Sequence, residues 1–330
     1  MFRIYRTLLG TVAAFVVLAI PAAAASNPVP GALNYVEGQV AVAGRTVTQQ
    51  SVGAVQLQPY QMLETRQGRA EVLLTPGVFL RVGDNSAIRL VSPDLLNTRV
   101  EVLRGQAFVD VTELFKDNGL WVLMGGSSTR LDKQGLYGFN AETRLVQVFD
   151  GKATVEQNDK SKELGKGKEL ALNGQWKAVS FDSKAQAAQN PLYAWSNLRS
   201  EYEAEASMQS AQNIFVGGWP YWYGPGWYWN PYWDMYGFLP GDGIWYSPFG
   251  WPFYYPGVVG FYGGYGFGYG HGFGYGHGFI PRGYMGHGHV AGAAIASGRV
   301  GGGGFAGGGF ARGGFAGGMH GGFGGGGGRR

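Results

Sequence analysis

Cysteine is absent from the 330 residues. That excludes a disulfide scaffold, a thiolate zinc site, a cysteine nucleophile and a lipid-bearing thiol. Histidine is scarce: all five, His271, His277, His287, His289 and His320, lie beyond residue 270. The rest of the chain therefore has no imidazole for general acid–base work. Lysine and glutamate stop at Phe215, after which the charges are Asp234, Asp242 and five arginines. Long hydrophobic runs are missing too. The most apolar stretch, Leu8–Ile20, has 13 residues, against roughly 20 for a spanning helix.

That short stretch reads as a leader. Arg3 and Arg6 precede it, and Pro21 follows it ahead of the small residues Ala22 to Ser26. This is a cleavable signal peptide over residues 1–25, which predicts export to the periplasm or the cell surface. A membrane enters only if Leu8–Ile20 is retained as an anchor. The formal charge of +4 and pI near 9.1 form no basic stripe, so nucleic acid is not an expected partner.

Residues 34–180 alternate apolar and polar over short stretches set apart by turn residues, the all-β signature. Strands are predicted at Gln39–Val42, Ala70–Leu74, Val78–Val82, Ala87–Leu90, Arg99–Leu103, Ala107–Val111, Leu120–Met124, Gly135–Asn140, Leu145–Phe149, Ala153–Gln157 and Glu169–Leu172. A pattern of apolar, polar, Gly, Gln or Lys, small, any, apolar recurs at Val36–Val42, Leu103–Val109 and Phe149–Val155. It predicts a strand, a tight turn at glycine and a second strand leaving at an angle. Two architectures follow: a β-solenoid-like stack, or a sandwich of short hairpins. Glu64, Glu71, Asp84, Asp110 and Glu113 fall at turns or on polar strand positions, where solvated carboxylates are expected.

A helix is predicted over 190–213, with Asn190 capping it and Pro191 opening it. Leu192, Trp195, Leu198 and Tyr202 give it an apolar face, and Glu201, Glu203 and Glu205 a polar one. Trp195 would dock it on the β-domain. Residues 217–262 are dense in Trp, Tyr, Pro and Gly. So many rings in water would form a large apolar patch, so this segment is expected to pack or to meet a partner. Trp219, Trp222, Trp227, Trp229 and Trp233 are its candidate binding residues. Of the 60 glycines only 18 precede Gly217, and residues 263–330 read as a disordered Gly-rich tail. Within it His271, His277, His287 and His289 are candidate ligands for copper, nickel or zinc. The same histidines also read as stacking residues of a Gly-aromatic repeat.

The motifs Leu63-Glu64-Thr65, Gly68-Arg69-Ala70-Glu71-Val72 and Leu80-Arg81-Val82-Gly83-Asp84-Asn85-Ser86 carry a family likeness. So do Val102-Leu103-Arg104-Gly105-Gln106-Ala107, Val148-Phe149-Asp150-Gly151-Lys152-Ala153 and Leu164-Gly165-Lys166-Gly167-Lys168-Glu169. In this order they resemble the FecR domain, a periplasmic β-domain of iron-responsive regulators, over about a third of the chain. The part from Phe181 to Pro256 resembles the tails of uncharacterised FecR-domain proteins of the acidobacterial type. In FecR an anti-sigma segment and a transmembrane helix precede the β-domain, and a TonB-dependent receptor is the partner. Only a few residues precede Leu8 here, so no anti-sigma element is expected.

The expectation is a non-enzymatic, exported envelope protein without cofactors. Its FecR-like β-domain would bind a protein or polysaccharide partner, with the aromatic Gly-rich region adding contacts. The alternative is a membrane-anchored FecR-like signalling accessory that keeps its N-terminal hydrophobic segment.

Overall fold

The computed structural model describes residues 29–220 and 222–263. The segment expected as a leader over 1–25, the tail expected over 263–330 apart from Gly263, and all the histidines lie outside the described residues.

The chain forms β1 (Ala32–Val42), β2 (Arg45–Val47), β3 (Met62–Leu73), β4 (Val78–Val82), β5 (Ala87–Asp94), β6 (Asn97–Arg104) and β7 (Gln106–Val111). It continues through β8 (Gly119–Met124), β9 (Ser127–Leu131), β10 (Gly135–Asn140), β11 (Leu145–Asp150), β12 (Lys152–Gln157), β13 (Lys160–Gly165), β14 (Lys168–Ala171) and β15 (Val179–Ser180). All fifteen belong to one sheet, ordered β13-β12-β9-β8-β6-β5-β3-β4-β7-β10-β11-β14-β15, with β1 beside β3 and β2 beside β1. Fold class is therefore all-β, as the alternation predicts.

The sheet folds back on itself at β3. The start of this strand, Met62–Glu64, pairs with β5, whereas its end, Ala70–Leu73, pairs with β4. Two wings result. Strands β5, β6, β8, β9, β12 and β13 make the first; β4, β7, β10, β11, β14 and β15 make the second. Both send alternate residues into one core, including Val100, Val122 and Val155 from the first and Val109, Tyr137 and Val148 from the second. Every pairing is antiparallel except β6 with β8. Stacked solenoid coils would be parallel throughout, so the sandwich of hairpins is the architecture.

The repeated motif marks the sites where the chain turns between strands. Its glycines Gly38, Gly105 and Gly151 have φ of +68°, +71° and +95°, a region open to glycine at little cost. At Gly105 the chain leaves β6 in one wing for β7 in the other, and at Gly151 it returns from β11 to β12. Gly38 sits opposite Gly68 where β1 crosses the fold, and a Cβ on Gly38 would collide with the Gln67 carbonyl.

After the sheet come α1 (Ser183–Gln189) and α2 (Pro191–Val216), the second capped by the Asn190 side chain on the N–H groups of Leu192 and Tyr193 at 2.9 and 3.3 Å. The aromatic segment is ordered. It forms the hairpin β16 (Gly226–Asn230) with β17 (Met235–Leu239), a smaller hairpin of β18 (Ile244–Tyr246) with β19 (Pro252–Tyr254), and α3 (Pro256–Gly263). These elements and α2 cover the outer face of the second wing. Strand β4 is consequently buried at all five positions, whereas β8 in the first wing alternates half-buried and buried.

The docking face of α2 departs from expectation. Leu192 and Trp195 are buried, but Leu198 and Tyr202 are 44% and 37% exposed. The face against the sheet and hairpin consists of Ser196, Arg199, Ser200, Glu203, Ala206, Ser207 and Ala211. Small residues let backbones approach closely: a Cβ on Gly237 would lie 3.0 Å from the Ser207 nitrogen. The Ser207 hydroxyl donates to the Phe238 carbonyl at 2.6 Å. Charge complementarity supplies the rest.

Candidate functional site

Three of the carboxylates expected in solvent are buried. Glu71 on β3 and Asp110 on β7 are wholly inaccessible, and Glu113 is 8% exposed. Glu203, expected on the polar side of the helix, is wholly inaccessible as well. The reason is topological. Strands β4, β7 and β10 of the second wing have two covered faces, so their outward positions are nearly as dry as the core. Glu64 and Asp84 do remain accessible, in contact with Arg104 and Arg69.

Glu71, Asp110 and Glu203 form one network with Arg81 and Arg199. Arg81 donates to Glu71 at 2.8 Å and to Asp110 at 2.7 Å. Arg199, from α2, donates to Glu71 at 3.0 Å and to Glu203 at 3.1 Å, and its guanidinium lies 4.0 Å from the Tyr35 ring centroid. Asn34 on β1 ties three elements together. Its amide donates to Glu71, to Glu203 and to the Tyr236 carbonyl, and its oxygen accepts from the Tyr236 N–H at 2.8 Å.

Burial pushes Glu71 up, but Arg199 and Arg81 outweigh it and hold this carboxyl far below the usual carboxylate range. Burial, reinforced by the charge of Glu71, drives Glu203 well above its ordinary value. Glu203 is thus the protonated member and hydrogen-bonds Glu71. Two guanidiniums face Glu71 and Asp110, with Glu203 neutral; burial pushes Asp110 up as well, and its 2.7 Å contact with Arg81 opposes that shift. A buried cluster of that kind is tolerable because its charges cancel, although Arg81 Nη2 and Arg199 Nε are buried with no hydrogen-bond partner among the described residues. Neither of the two described grooves is lined by any of the five residues, so the network is a clamp for α2.

The five candidate tryptophans do not share one surface. Trp227 is buried against Phe79 and Phe238, with ring centroids at 5.0 and 5.7 Å. Trp229 is half-buried, edge-on to Tyr236 at 5.0 Å and against Gly53. Trp219 and Trp222 pack beside Ile214 and Leu239. Trp222 stacks on Tyr228 (5.6 Å, 8°), and Tyr228 on Tyr223 (4.5 Å, 16°). Trp233 stands at the surface, 5.7 Å from Tyr202 on α2 and 5.7 Å from Tyr232. Tyr232 is 77% and Tyr223 60% exposed. Most of the segment is packing material, and two groups of rings face water. Tyr202, Tyr223 and Tyr232 are absent from the sequence-based candidates, which favoured tryptophan over tyrosine.

The metal candidates His271, His277, His287 and His289 lie outside the described residues. Among the described residues no cluster of three or more His, Asp or Glu has the spacing of a metal site, and no helix there is long and apolar enough to cross a membrane.

No protein-family model and no curated protein sequence matches the chain. Two crystal structures of a putative anti-sigma factor from Parabacteroides distasonis are similar to part of it. One is 19% identical, with a TM-score of 0.33 over 38% of this chain and 61% of that one. The other is 18% identical, with a TM-score of 0.34 over 39% and 65%. The chain thus spans less than two thirds of either protein's length, and a likeness this weak carries neither a fold nor a role across.

Proposed function

We propose that this protein is a non-enzymatic envelope module that holds a partner against the aromatic cap of its β-sandwich. The carrying observation is the cluster of Tyr202, Tyr232 and Trp233, which touch one another at the surface and leave Tyr232 largely in water. Rings already ordered by neighbours lose little freedom on binding. Each adds about 0.5–1.5 kcal/mol of stacking beyond burial, so a few presented together give useful affinity for a polysaccharide or for an aromatic protein surface. The charged network fits this reading as the clamp that keeps the platform rigid. Export follows from Arg3, Arg6 and Leu8–Ile20, and sequencing the native N-terminus tests it. A mature chain starting near Ser26 supports a released protein, and one starting at Met1 a tethered one.

Retention of the full-length protein on cellulose and on a cell-wall fraction tests the platform. The variant Tyr232→Ser/Trp233→Ser is expected to be retained at least fivefold less, since two stacked rings are lost. Equal retention would overturn the proposal. Substitution is the sound comparison, because deleting the segment would uncover the buried Leu73 and Phe79.

A further inference from the structure

An open groove lies near the glycine corners of the sandwich, remote in character from the aromatic cap. It has a volume of about 600 Å³ and is lined by Gln39, Thr65, Arg66, Gln67, Asn85 and Arg104. Through Asn85 it meets a neighbouring hollow of about 430 Å³ that runs toward Pro191. Ligand sites commonly measure a few hundred to a thousand Å³. The lining here is unusual in having no apolar side chain.

Most of its side-chain donors have no protein partner. Among the described residues, the side chains of Gln39, Arg66, Gln67 and Asn85 make no hydrogen bond or ion pair, although they converge on one space. Arg104 uses its Nε on the Asn85 carbonyl at 3.3 Å and keeps a loose contact with Glu64 at 3.8 Å. Nearby Arg69, by contrast, is satisfied by Glu37 and Asp84. The walls are held from beneath. Thr65 donates its hydroxyl to the Gly83 carbonyl at 2.5 Å, and the Asn85 N–H donates to the Arg66 carbonyl at 2.8 Å. Asn85 itself sits at φ +50° and Gly105 at +71°. Non-glycine residues in that region are uncommon and are kept where surrounding structure fixes them.

We infer that this groove binds an acidic oligosaccharide. Guanidinium forks match carboxylates in a two-bond geometry, and carboxamides both donate to and accept from hydroxyls. Arg66 and Arg104 with three carboxamides thus suit a chain of carboxylated sugars, which offers negative charge and hydroxyls in alternation. An apolar ligand finds no surface here. A neutral glycan would bring no anion to either arginine, and an acidic peptide would lack the hydroxyls that the carboxamides can meet.

The test is calorimetric titration of the full chain with oligogalacturonate, its methyl ester and a neutral cello-oligosaccharide. Saturable binding of oligogalacturonate is expected, weakening with salt as screening grows, with the ester at least tenfold weaker. Arg66→Gln/Arg104→Gln should lose at least tenfold while melting at the wild-type temperature, since both side chains are exposed. Lys160→Gln, on an edge strand away from the groove, and Tyr232→Ser/Trp233→Ser should bind as wild type. The last variant separates this site from the aromatic platform. Absence of binding, equal affinity for the ester or the neutral sugar, or an unaffected double-arginine variant would each overturn the inference. So would tighter binding of a single-stranded oligonucleotide than of the sugar acid.

Discussion

Arg199 and Glu203 stand one turn apart on α2 and meet Glu71 at its buried carboxylate. Arg199→Met removes one of two guanidiniums and leaves Glu71 and Asp110 facing Arg81 alone. Breaking a buried pair costs about 3–5 kcal/mol, and urea unfolding should show a loss of that size. Glu203→Gln should behave oppositely. Its folded-state pKa is raised, so the protonated form stabilises the fold, fully below the unfolded value of about 4.3, and this contribution is lost as pH rises. The glutamine variant keeps the neutral shape at every pH. It should match wild type at pH 4 and exceed it at pH 7. A parallel pH profile would mean that Glu203 is ionised in the fold. Glu113 follows the same sign: burial, with help from Asp242, lifts it to about 7. Its stabilising effect is lost between about 4.3 and 7, and Glu113→Gln should flatten that decline.

Helix α2 is held by shape as much as by charge. Gly237 on β17 lies against the backbone at Ser207, so Gly237→Ala should push hairpin and helix apart at about 1–3 kcal/mol. Leu198→Ser, on the exposed side of the same helix, should change stability by no more than about 0.5 kcal/mol. The contrast tests the orientation of the helix. Legibility in the sequence follows the same physics. Strands β4 and β10 are readable to the residue, because Val78–Val82, apolar but for Arg81, and Gly135–Asn140, apolar up to its last residue, are bounded by turns. Strand β9, Ser127–Leu131, escapes notice because the polar Ser127 and Thr129 take buried positions, and β13, Lys160–Gly165, because lysine, serine and glutamate fill Lys160 to Glu163. The extent of α2 was legible from Asn190-Pro191, but its rotation was not. Periodicity assigns leucine and tyrosine to the interior, whereas here serines, alanines and an ion pair are inside. Nothing local in the sequence announces that Glu71, Arg81, Asp110, Arg199 and Glu203 meet, since they come from four separate elements. The corner groove was equally hidden, although its glycine motif was visible.

Across the whole of residues 29–263 the sandwich, α2 and the aromatic hairpins share buried surface. Leu73 and Phe79 of the sheet belong to one cluster with Trp227, Phe238 and Phe253. Phe108 and Phe149 pack with Leu192 and Trp195. Such continuity predicts a single cooperative unfolding transition. Tryptophan fluorescence, which reports mainly on the cap, should fall at the same urea concentration as far-UV circular dichroism, which reports mainly on the sheet. Two separated midpoints would show the cap to be an independent unit.

The neutrality of the clamp also bears on grafting. Cut at residue 180, the sandwich keeps Glu71, Asp110 and Arg81 but surrenders Arg199, so a surface built to be dry carries one surplus negative charge beside bare Phe79 and Phe108. The segment that looks like a self-sufficient domain in the sequence is therefore not a transferable part. Moved into another protein without residues 181–263, it would arrive with a sticky, acid-seeking face and would take up a proton or a foreign cation before it settled. The portable cassette is the sandwich together with its helix and its aromatic lid.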